Sequence, residues 1–407
     1  MSLQEIAGGI TAATGFVAAG VAAGIKKEAG QLDVAMVYSP EPATAAGVFT
    51  QNRLQGAPVI VSREHLASGR ARAIVATSGV ANTCTGVRGL ADAREMAVLA
   101  GGLLKIPPSE VAVASTGVIG VPLPMEKVRH GIAAAAASLS PQGGTQAVRA
   151  IMTTDTRPKE VALRATLGGV PVTVGGMAKG AGMIHPDLAT MLVFLATDAA
   201  VSPEMLRRSL RLAADTTFNM LTVDGDTSPN DMVVVLANGR AGNQPLTAPG
   251  PAWEEFTRLL EEACVRLTRM LAADAEGATR LIEVRVRGAA TLADARTAAR
   301  AVAGSNLVKA AVFGRDANWG RIINAVGYSG ASFTPEAVDI VLASHAGQEQ
   351  VARGGCGLAF DEERAREILG GPEVRVIIDL HQGEAVATAF GCDLSYDYVR
   401  INADYRS

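Results

Sequence analysis

Residues 179–191 read KGAGMIHPDLATM, and this stretch decides how the rest of the chain is interpreted. It begins at Lys179 with a glycine-rich loop of little side-chain bulk. Thr190 then follows the small residue Ala189 and precedes the apolar run 191–195. A self-cleaving N-terminal nucleophile requires this order, because a hydroxyl on a rigid element can attack an unhindered carbonyl before it. A core threonine at the head of a strand is the plainer alternative.

The chemistry of such a cleavage needs few further groups. The Thr190 hydroxyl would attack the Ala189 carbonyl and produce an N-to-O acyl shift, and hydrolysis of the ester would leave Thr190 as a new N-terminus. The freed α-amine, with a reference pKa of about 7.7–8.0, can serve as the base in later reactions. The remaining requirement is an oxyanion hole.

Thr116 and Gly117 are the candidates for that oxyanion hole, since they follow the apolar run 111–114. A glycine N–H and a neighbouring hydroxyl can point at one developing negative charge, and each such donor is typically worth about 3–4 kcal/mol. An ordinary junction between a strand and a turn has the same appearance in a sequence.

Two charged residues are candidates for binding a substrate. Lys179 stands between Ala178 and Gly180 in an apolar setting and could hold a carboxylate, although most lysines are simply solvated. Glu276 is predicted at the C-terminal end of a long helix, where a carboxylate is unfavourable against the helix dipole. We interpret this misfit as a candidate ammonium-binding site, with a solvated glutamate as the alternative.

Other motifs indicate less. A dinucleotide-binding G-x-G-x-x-G motif would need glycine where His185 stands, and His185 has no evident partner as a base. The cluster of Asp224, Asp226 and Asp231 lacks the Glu and Gly positions of a calcium loop, so we interpret it as a structural turn. The sequence therefore predicts no metal site.

Composition excludes several classes of protein. The chain has 407 residues, 48% of them hydrophobic and 19% charged, which is enough for a large core in two or three lobes. A net charge of −3 and 4% aromatic residues argue against nucleic-acid binding. No apolar stretch reaches the ~18–20 residues of a membrane span. The cysteines are widely spaced without a C-x-x-C motif, which favours reduced thiols in a cytosolic protein.

Hydrophobic periodicity predicts strands alternating with helices, and some strands follow one another directly. This favours a layered α/β architecture with mixed sheets. The predicted strands are 33–50, 57–62, 71–76, 111–114, 170–174, 232–236, 282–286, 307–313, 375–379 and 385–389. The predicted helices are 90–104, one after Pro124 through the alanine cluster, one opened by Ser202 and Pro203, 256–271 and 292–302. Residues 143–156 are predicted as a transition from helix to loop.

At KGAGMIHPDLATM the sequence resembles the ornithine acetyltransferase (ArgJ) family of arginine biosynthesis, a family of self-processing glutamate N-acetyltransferases. The resemblance covers essentially the whole chain. It is carried by further motifs in the same order, namely ASTGVIG at 114–120, IMTTDTRPK at 151–159, FNMLTVDGDTSPND at 218–231, FGRDANWGRI at 313–322 and GCDLSYDYVRINADYRS at 391–407.

The resemblance implies cleavage between Ala189 and Thr190, giving an α chain of residues 1–189 and a β chain of residues 190–407. It implies Thr190 as the nucleophile, and Thr116 with Gly117 as the oxyanion hole. The substrate-binding positions that it implies are Thr154 (with Thr153 adjacent), Lys179, Thr190, Glu276, Asn402 and Ser407. The implied fold is a layered αββα sandwich with mixed sheets, DmpA/ArgJ-like and self-processing.

The implied reaction is a ping-pong acetyl transfer. Thr190 takes the acetyl group of N2-acetyl-L-ornithine, and L-glutamate then removes it as N-acetylglutamate. Neither a metal nor an organic cofactor is needed, because the Thr190 amine can act as the base. The family further implies an α2β2 heterotetramer in the cytoplasm. Use of acetyl-CoA as a second acetyl donor is left open, since members with and without it share these motifs.

Two alternatives belong to other classes of protein. A self-processing aminopeptidase or amidase would use water as the acyl acceptor, although a threonine nucleophile argues against it. A small-molecule binding protein would keep an uncleaved chain. The sequence departs from the common family pattern at Val80, where asparagine is frequent, and at Ser407, where threonine is common and a hydroxyl is retained.

Overall fold

The computed structural model describes residues 3–185 and 191–404. Its strands are β1 (Gln4–Glu5), β2 (Val17–Val21), β3 (Val34–Tyr38), β4 (Thr44–Phe49), β5 (Ala73–Val80), β6 (Val111–Val118), β7 (Lys159–Leu167), β8 (Val170–Lys179), β9 (Leu192–Thr197), β10 (Met232–Ala237), β11 (Leu281–Ala289), β12 (Asp339–Ser344), β13 (Gly347–Arg353), β14 (Cys356–Gly357), β15 (Glu373–Asp379) and β16 (Ala385–Cys392).

The helices connect and cover these strands. They are α1 (Ala57–Leu66), α2 (Gly86–Leu104), α3 (Met125–Ala137), α4 (Gly144–Ile151), α5 (Pro203–Thr216), α6 (Pro251–Ala273), α7 (Leu292–Gly304), α8 (Asn306–Gly314), α9 (Trp319–Gly327), α10 (Glu362–Leu369) and α11 (Tyr396–Asp404). Short 3₁₀ turns occupy Gly9–Ala12, Pro108–Glu110, Phe218–Met220 and Pro335–Ala337.

The strands form three mixed sheets. Sheet I has the order β1-β7-β8-β9-β10-β4, sheet II the order β2-β3-β5-β6, and sheet III the order β14-β13-β12-β15-β11-β16. Each sheet contains one parallel pair, which is β9 with β10, β5 with β6, or β11 with β15. All other pairings are antiparallel in the part of the chain that the structure describes.

Sheets I and II stack face to face, with a helical layer outside each. On β9, Leu192 and Phe194 point to the core shared with sheet II, whereas Val193 and Leu195 point to the core under α5 and α6. This two-residue alternation is the strand period. The outer face of sheet II packs in the same way on α2 and α3. The resulting layer order confirms the αββα sandwich with mixed sheets.

Several local predictions are also confirmed. Helix α6 spans the predicted run and buries the stripe from Phe256 to Leu271 against sheet I. Helix α5 begins at Pro203, and the Ser202 hydroxyl accepts a hydrogen bond from the Met205 N–H. A side-chain oxygen at this position satisfies an amide that has no partner within the helix.

Two predicted strands are wrong. Residues 57–62 belong to α1, which lies between two cores and is therefore apolar on more than one side, so its β-branched run imitates a buried strand. Residues 307–313 belong to α8. Ser305 caps this helix through the Val308 N–H, and that capping signal was present in the sequence.

The C-terminal part forms a second lobe around sheet III. Helices α7 to α10 pack with this sheet in a core of its own, whose strands β12 and β13 periodicity did not predict. Strand β16 also contacts α6, which joins the lobe to the sandwich. Among the described residues, no helix combines the length and apolarity required to cross a membrane.

Candidate active site

A cavity of about 260 Å³ opens where β6 and β8 end and β10 begins. Its walls come from residues on both sides of position 190. They are Ala81, Thr116, Gly117, Ile119, Thr153, Thr154, Lys179, Gly182, Met183, Asp224, Asp226, Ser228, Asn230, Glu276, Tyr398 and Asn402.

Six of the predicted site residues share this cavity although they are far apart in the chain. They are Thr116, Gly117, Thr154, Lys179, Glu276 and Asn402. Thr153 lines the cavity as well, so the choice between the two threonines stays a prediction. The predicted positions Ala189, Thr190 and Ser407 lie outside the described residues.

The Thr116–Gly117 pair sits near the end of β6. Gly117 has a φ of +126°, and a Cβ there would lie 2.4 Å from the carbonyl carbon of Gly79 on β5. Only glycine fits this close approach of two parallel strands. Thr116 is almost fully buried, and its hydroxyl lies 3.4 Å from the Lys179 Nζ. The close approach therefore fixes where these two donors stand at the cavity wall.

Lys179 is the last residue of β8 and is 3% exposed. No carboxylate of the described residues lies within ion-pair distance of its ammonium group, whose contact is the Thr116 hydroxyl. Burial lowers the pKa of Lys179, and the nearby Asp155 carboxylate partly offsets this effect. An ammonium group that is buried without an ion partner is suited to receive an anionic group of a ligand.

A buried ion network supports the loops beneath Lys179. The Lys159 ammonium lies 2.6 Å from Asp155 and 2.5 Å from Asp274, and all three side chains are buried. Asp155 also accepts hydrogen bonds from the Gly180 and Thr153 N–H groups. Burial alone would raise the pKa of Asp155, but Lys179, Lys159 and the Gly180 N–H lower it to about 2. The network therefore positions the backbone on two sides of the cavity.

Glu276 was predicted at the end of a helix, and this placement is wrong. Helix α6 ends at Ala273, and Glu276 lies in the following turn, where its N–H donates to the Ala181 carbonyl. Its carboxylate accepts a hydrogen bond of 2.9 Å from the Asn402 side chain on α11. Gly182 packs so closely that a Cβ there would lie 2.3 Å from Glu276 Oε2. Tertiary packing, and not the helix dipole, thus places this carboxylate in the cavity.

Asp224 joins three parts of the cavity wall. It accepts hydrogen bonds from the Met183 and Ile184 N–H groups and from the Tyr398 hydroxyl of α11. These contacts agree with a structural turn for the aspartate cluster. No group of three His, Cys, Asp or Glu side chains converges as a metal site within residues 3–185 and 191–404. His185 does not line the cavity, and its ring meets the Thr222 hydroxyl at 3.2 Å.

Two adjacent buried residues were missed as contributors to the site. Asn230 donates to the carbonyls of Ala81 and Ser115, and Asp231 accepts from the Met191 N–H. Both stand at the end of the 218–231 motif, immediately before β10. The sequence signal was a polar pair at the entrance of a buried strand, which a turn explained equally well.

Comparisons with known proteins agree with this geometry. A family model described as the ArgJ family matches residues 17–407. The arginine biosynthesis bifunctional protein ArgJ of Symbiobacterium thermophilum is 58% identical, and the match covers 100% of both chains. The crystal structure of the bifunctional protein argJ from Bacillus halodurans is 46% identical, with a TM-score of 0.51, and covers 53% of this chain and 100% of its own.

A further solved structure is the ornithine acetyltransferase of Mycobacterium tuberculosis complexed with ornithine. It is 43% identical, with a TM-score of 0.42, and covers 46% of this chain and 98% of its own. The family model and the full-length relative together span the sandwich, the C-terminal lobe and every element that lines the cavity. The chain therefore belongs to the ArgJ family.

Proposed function

We propose that this protein transfers the acetyl group of N2-acetyl-L-ornithine to L-glutamate through an acetyl ester on Thr190, in arginine biosynthesis. The observation that carries the proposal is the meeting of Thr116, Gly117, Lys179 and Glu276 in one cavity. An acetylated amino acid with charged ends requires such a set of groups: hydroxyl and amide donors for its acetyl carbonyl, a buried ammonium for its carboxylate and a carboxylate for its ammonium.

In the first half-reaction, the Thr190 hydroxyl attacks the acetyl carbonyl of acetylornithine. The Thr116 hydroxyl and the Gly117 N–H stabilise the oxyanion that forms. The bond to the ornithine α-nitrogen then breaks, this nitrogen takes up a proton, and the acetyl group remains as an ester on Thr190. In the second half-reaction the glutamate α-amine attacks that ester, and N-acetylglutamate leaves. The Thr190 amine carries the proton in both directions.

The charges of Lys179 and Glu276 indicate which end of the acetyl donor each residue would bind. Lys179 would bind the α-carboxylate, which ornithine and glutamate share, and Glu276 would face the ornithine side-chain ammonium. Glu276→Gln removes the charge while keeping the hydrogen bond from Asn402, so we expect a raised apparent KM for acetylornithine. An unchanged KM would show that the ammonium lies elsewhere.

Two chains from one precursor are part of the proposal, with residues 1–189 and 190–407 as the α and β chains. In support, the Bacillus halodurans chain is matched over its whole length by only 53% of this protein. The proposed β chain is of that size, 218 of 407 residues. Intact mass spectrometry of purified protein is the test. We expect two fragments in the wild type and one species near 41.8 kDa in Thr190→Ala.

An acetylornithine assay with and without glutamate tests the transfer. We expect ornithine release at a sustained rate only when glutamate is present, because the ester needs an amine acceptor. Release that continues without glutamate would instead favour the self-processing aminopeptidase or amidase, in which water accepts the acyl group.

A second activity, acetylation of glutamate by acetyl-CoA, is proposed because the relative of 58% identity is named a bifunctional protein. Its test is glutamate-dependent release of the CoA thiol by wild-type protein, with Thr190→Ala as the control. We further propose an α2β2 assembly in the cytoplasm. Light scattering coupled to gel filtration should then give a mass of roughly twice 41.8 kDa.

A further inference from the structure

The neighbouring residues Asn230 and Asp231 contact opposite sides of the candidate site. Asn230 is 4% exposed and lines the cavity, Asp231 is 1% exposed, and the pair directly precedes β10. The backbone on either side of them is also held, since the Pro229 carbonyl accepts from the Gly56 N–H and the Asp231 carbonyl accepts from the Thr50 N–H. Their side chains are therefore fixed points between the two sheets.

Asn230 binds the strand that carries the proposed oxyanion hole. Its Nδ2 donates to the Ser115 carbonyl at 3.0 Å and to the Ala81 carbonyl at 2.7 Å, while its Oδ1 accepts from the Thr83 hydroxyl. Carbonyls can only accept, so these two contacts settle the orientation of the amide. The Ser115 carbonyl and the Thr116 N–H belong to one planar peptide group. Asn230 thus fixes the orientation of the backbone that enters Thr116.

Asp231 binds the strand that follows the proposed nucleophile. Its Oδ1 accepts a hydrogen bond of 2.8 Å from the Met191 N–H, which belongs to the peptide bond joining Thr190 to Met191. The next residue, Met232, donates its N–H to the Met191 carbonyl. Both peptide groups of Met191 are thereby tied to the entrance of β10.

The second oxygen of Asp231 indicates what the residue does. Oδ2 is buried and has no hydrogen-bond partner among the described residues. Burial raises the pKa of Asp231 well above its usual range, and the Met191 N–H, Lys179 and the Ser228 hydroxyl only partly offset this effect. A neutral carboxyl group at this position still accepts a hydrogen bond, so acceptance and not charge is the contribution that the geometry requires.

We propose that Asn230 and Asp231 form a positioning clamp that sets the distance between the oxyanion-hole strand and the nucleophile strand. The proposal rests on the proposed function, because it names how the two halves of that site are aligned. Neither residue touches the reacting atoms in this scheme. Asn230 acts through Ser115 as a donor, whereas Asp231 acts through Met191 as an acceptor. Alignment within fractions of an ångström is what such a supporting contact supplies.

Replacing Asn230 by aspartate, and Asp231 by asparagine, tests separately whether each position must donate or accept a hydrogen bond. Asn230→Asp replaces the donor by oxygens facing two carbonyls, so we expect kcat to fall roughly 100-fold, the effect of losing an oxyanion contact. The KM for acetylornithine should stay within about threefold, because Lys179 and Glu276 are untouched. Autoprocessing of the precursor should slow in parallel with kcat.

At position 231 the conservative variant should restore most of the activity. Asp231→Ala removes the acceptor for Met191, and we expect kcat to fall roughly 30-fold or more. Asp231→Asn keeps an acceptor oxygen and should recover most of that loss, to within about threefold of wild type. Thr83→Val, which deletes the hydroxyl that donates to Asn230, should lower kcat by about fivefold.

Asn243→Asp is the matched control for stability. Asn243 is also buried, donates to the Ala200 and Gln244 carbonyls, and lies beyond the opposite end of β9. We expect its substitution to lower the melting temperature as Asn230→Asp does while leaving kcat unchanged. If Asn230→Asp fails to fold, the Asp231 pair and Thr83→Val still test the clamp.

The outcomes distinguish the clamp from the proposed function. Wild-type protein that neither cleaves itself nor transfers acetyl groups would overturn both. With an active wild type, a folded Asn230→Asp variant of normal kcat would overturn the clamp alone. The clamp would also be overturned if Asp231→Asn lost as much kcat as Asp231→Ala, because the negative charge would then be the necessary feature.

Discussion

Lys159 and Lys179 stand on neighbouring strands of sheet I, are equally buried and have different surroundings. Lys159 is 1% exposed and pairs with two aspartates at 2.6 and 2.5 Å, whereas Lys179 is 3% exposed and, among the described residues, has a hydroxyl at 3.4 Å but no carboxylate within ion-pair distance. In the β7–β8 register, Lys159 faces Ala178, the residue before Lys179. Burial of a charge does not by itself mark a functional lysine. What distinguishes Lys179 is that no carboxylate in the described part of the chain lies within ion-pair distance of it at the cavity wall.

The largest expected effect is a loss of stability when the paired lysine, Lys159, is replaced. Lys159→Met removes the ammonium group that pairs with both buried aspartates, although Asp274 keeps a longer contact of 3.6 Å to the exposed Arg157. Removing one partner of a buried ion network typically costs about 3–5 kcal/mol. Urea unfolding in the uncleaved Thr190→Ala background measures this loss on a single chain. A free energy of unfolding within 1 kcal/mol of the parent would show that solvent reaches the aspartates.

The next effect concerns the other lysine, Lys179, whose replacement should lower activity and leave stability nearly unchanged. Lys179→Met removes a charge that has no ion partner in residues 3–185 and 191–404, so stability in the same background should stay within about 1 kcal/mol. The kcat/KM for acetylornithine should fall roughly 10- to 100-fold, because a charged hydrogen bond to the substrate is worth about 1.5–3 kcal/mol. A large stability loss with normal kinetics would make the two lysines equivalent and refute the comparison.

The ion network also predicts that the folded protein loses stability in acid. The pKa of Asp155 is about 2 in the folded protein against an ordinary value of 3.8, so its contribution is present above pH 3.8 and is lost as pH falls toward 2. The shift corresponds to about 2 kcal/mol. Comparing unfolding free energies at pH 5 and pH 2.5 should give a smaller drop for Asp155→Asn than for its parent. An identical drop would assign acid sensitivity to other carboxylates.

The smallest effect concerns the carboxylate opposite Lys179. A Cβ at Gly182 would lie 2.3 Å from Glu276 Oε2, so Gly182→Ala should displace Glu276 from Asn402 and raise the KM for acetylornithine by about tenfold. Gly102→Ala on α2 is the control, since nothing lies within 4 Å of its added Cβ. Equal kinetics for the two variants would indicate that Glu276 moves without consequence.

Sequence patterns predicted the elements whose periodicity is strong and whose ends carry local signals. The amphipathic α6, the capped α5 and the alternating β11 belong to this group. Prediction failed for 57–62 and 307–313, where short apolar runs fit a helix and a strand equally well. Burial on more than one side removes the polar face that would have distinguished them.

For the candidate site, the sequence alone determined which residues to consider. Lys179 was selected by its apolar, glycine-rich neighbours, and Thr116 with Gly117 by the end of a strand. Only the tertiary structure decided that they share one cavity with Glu276 and Asn402, because the strand pairing and stacking that bring them together span most of the chain. Partners at such separation leave no local pattern. For this reason the contacts of Lys159 and Lys179, and the opposite hydrogen-bonding roles of Asn230 and Asp231, emerged only from the fold.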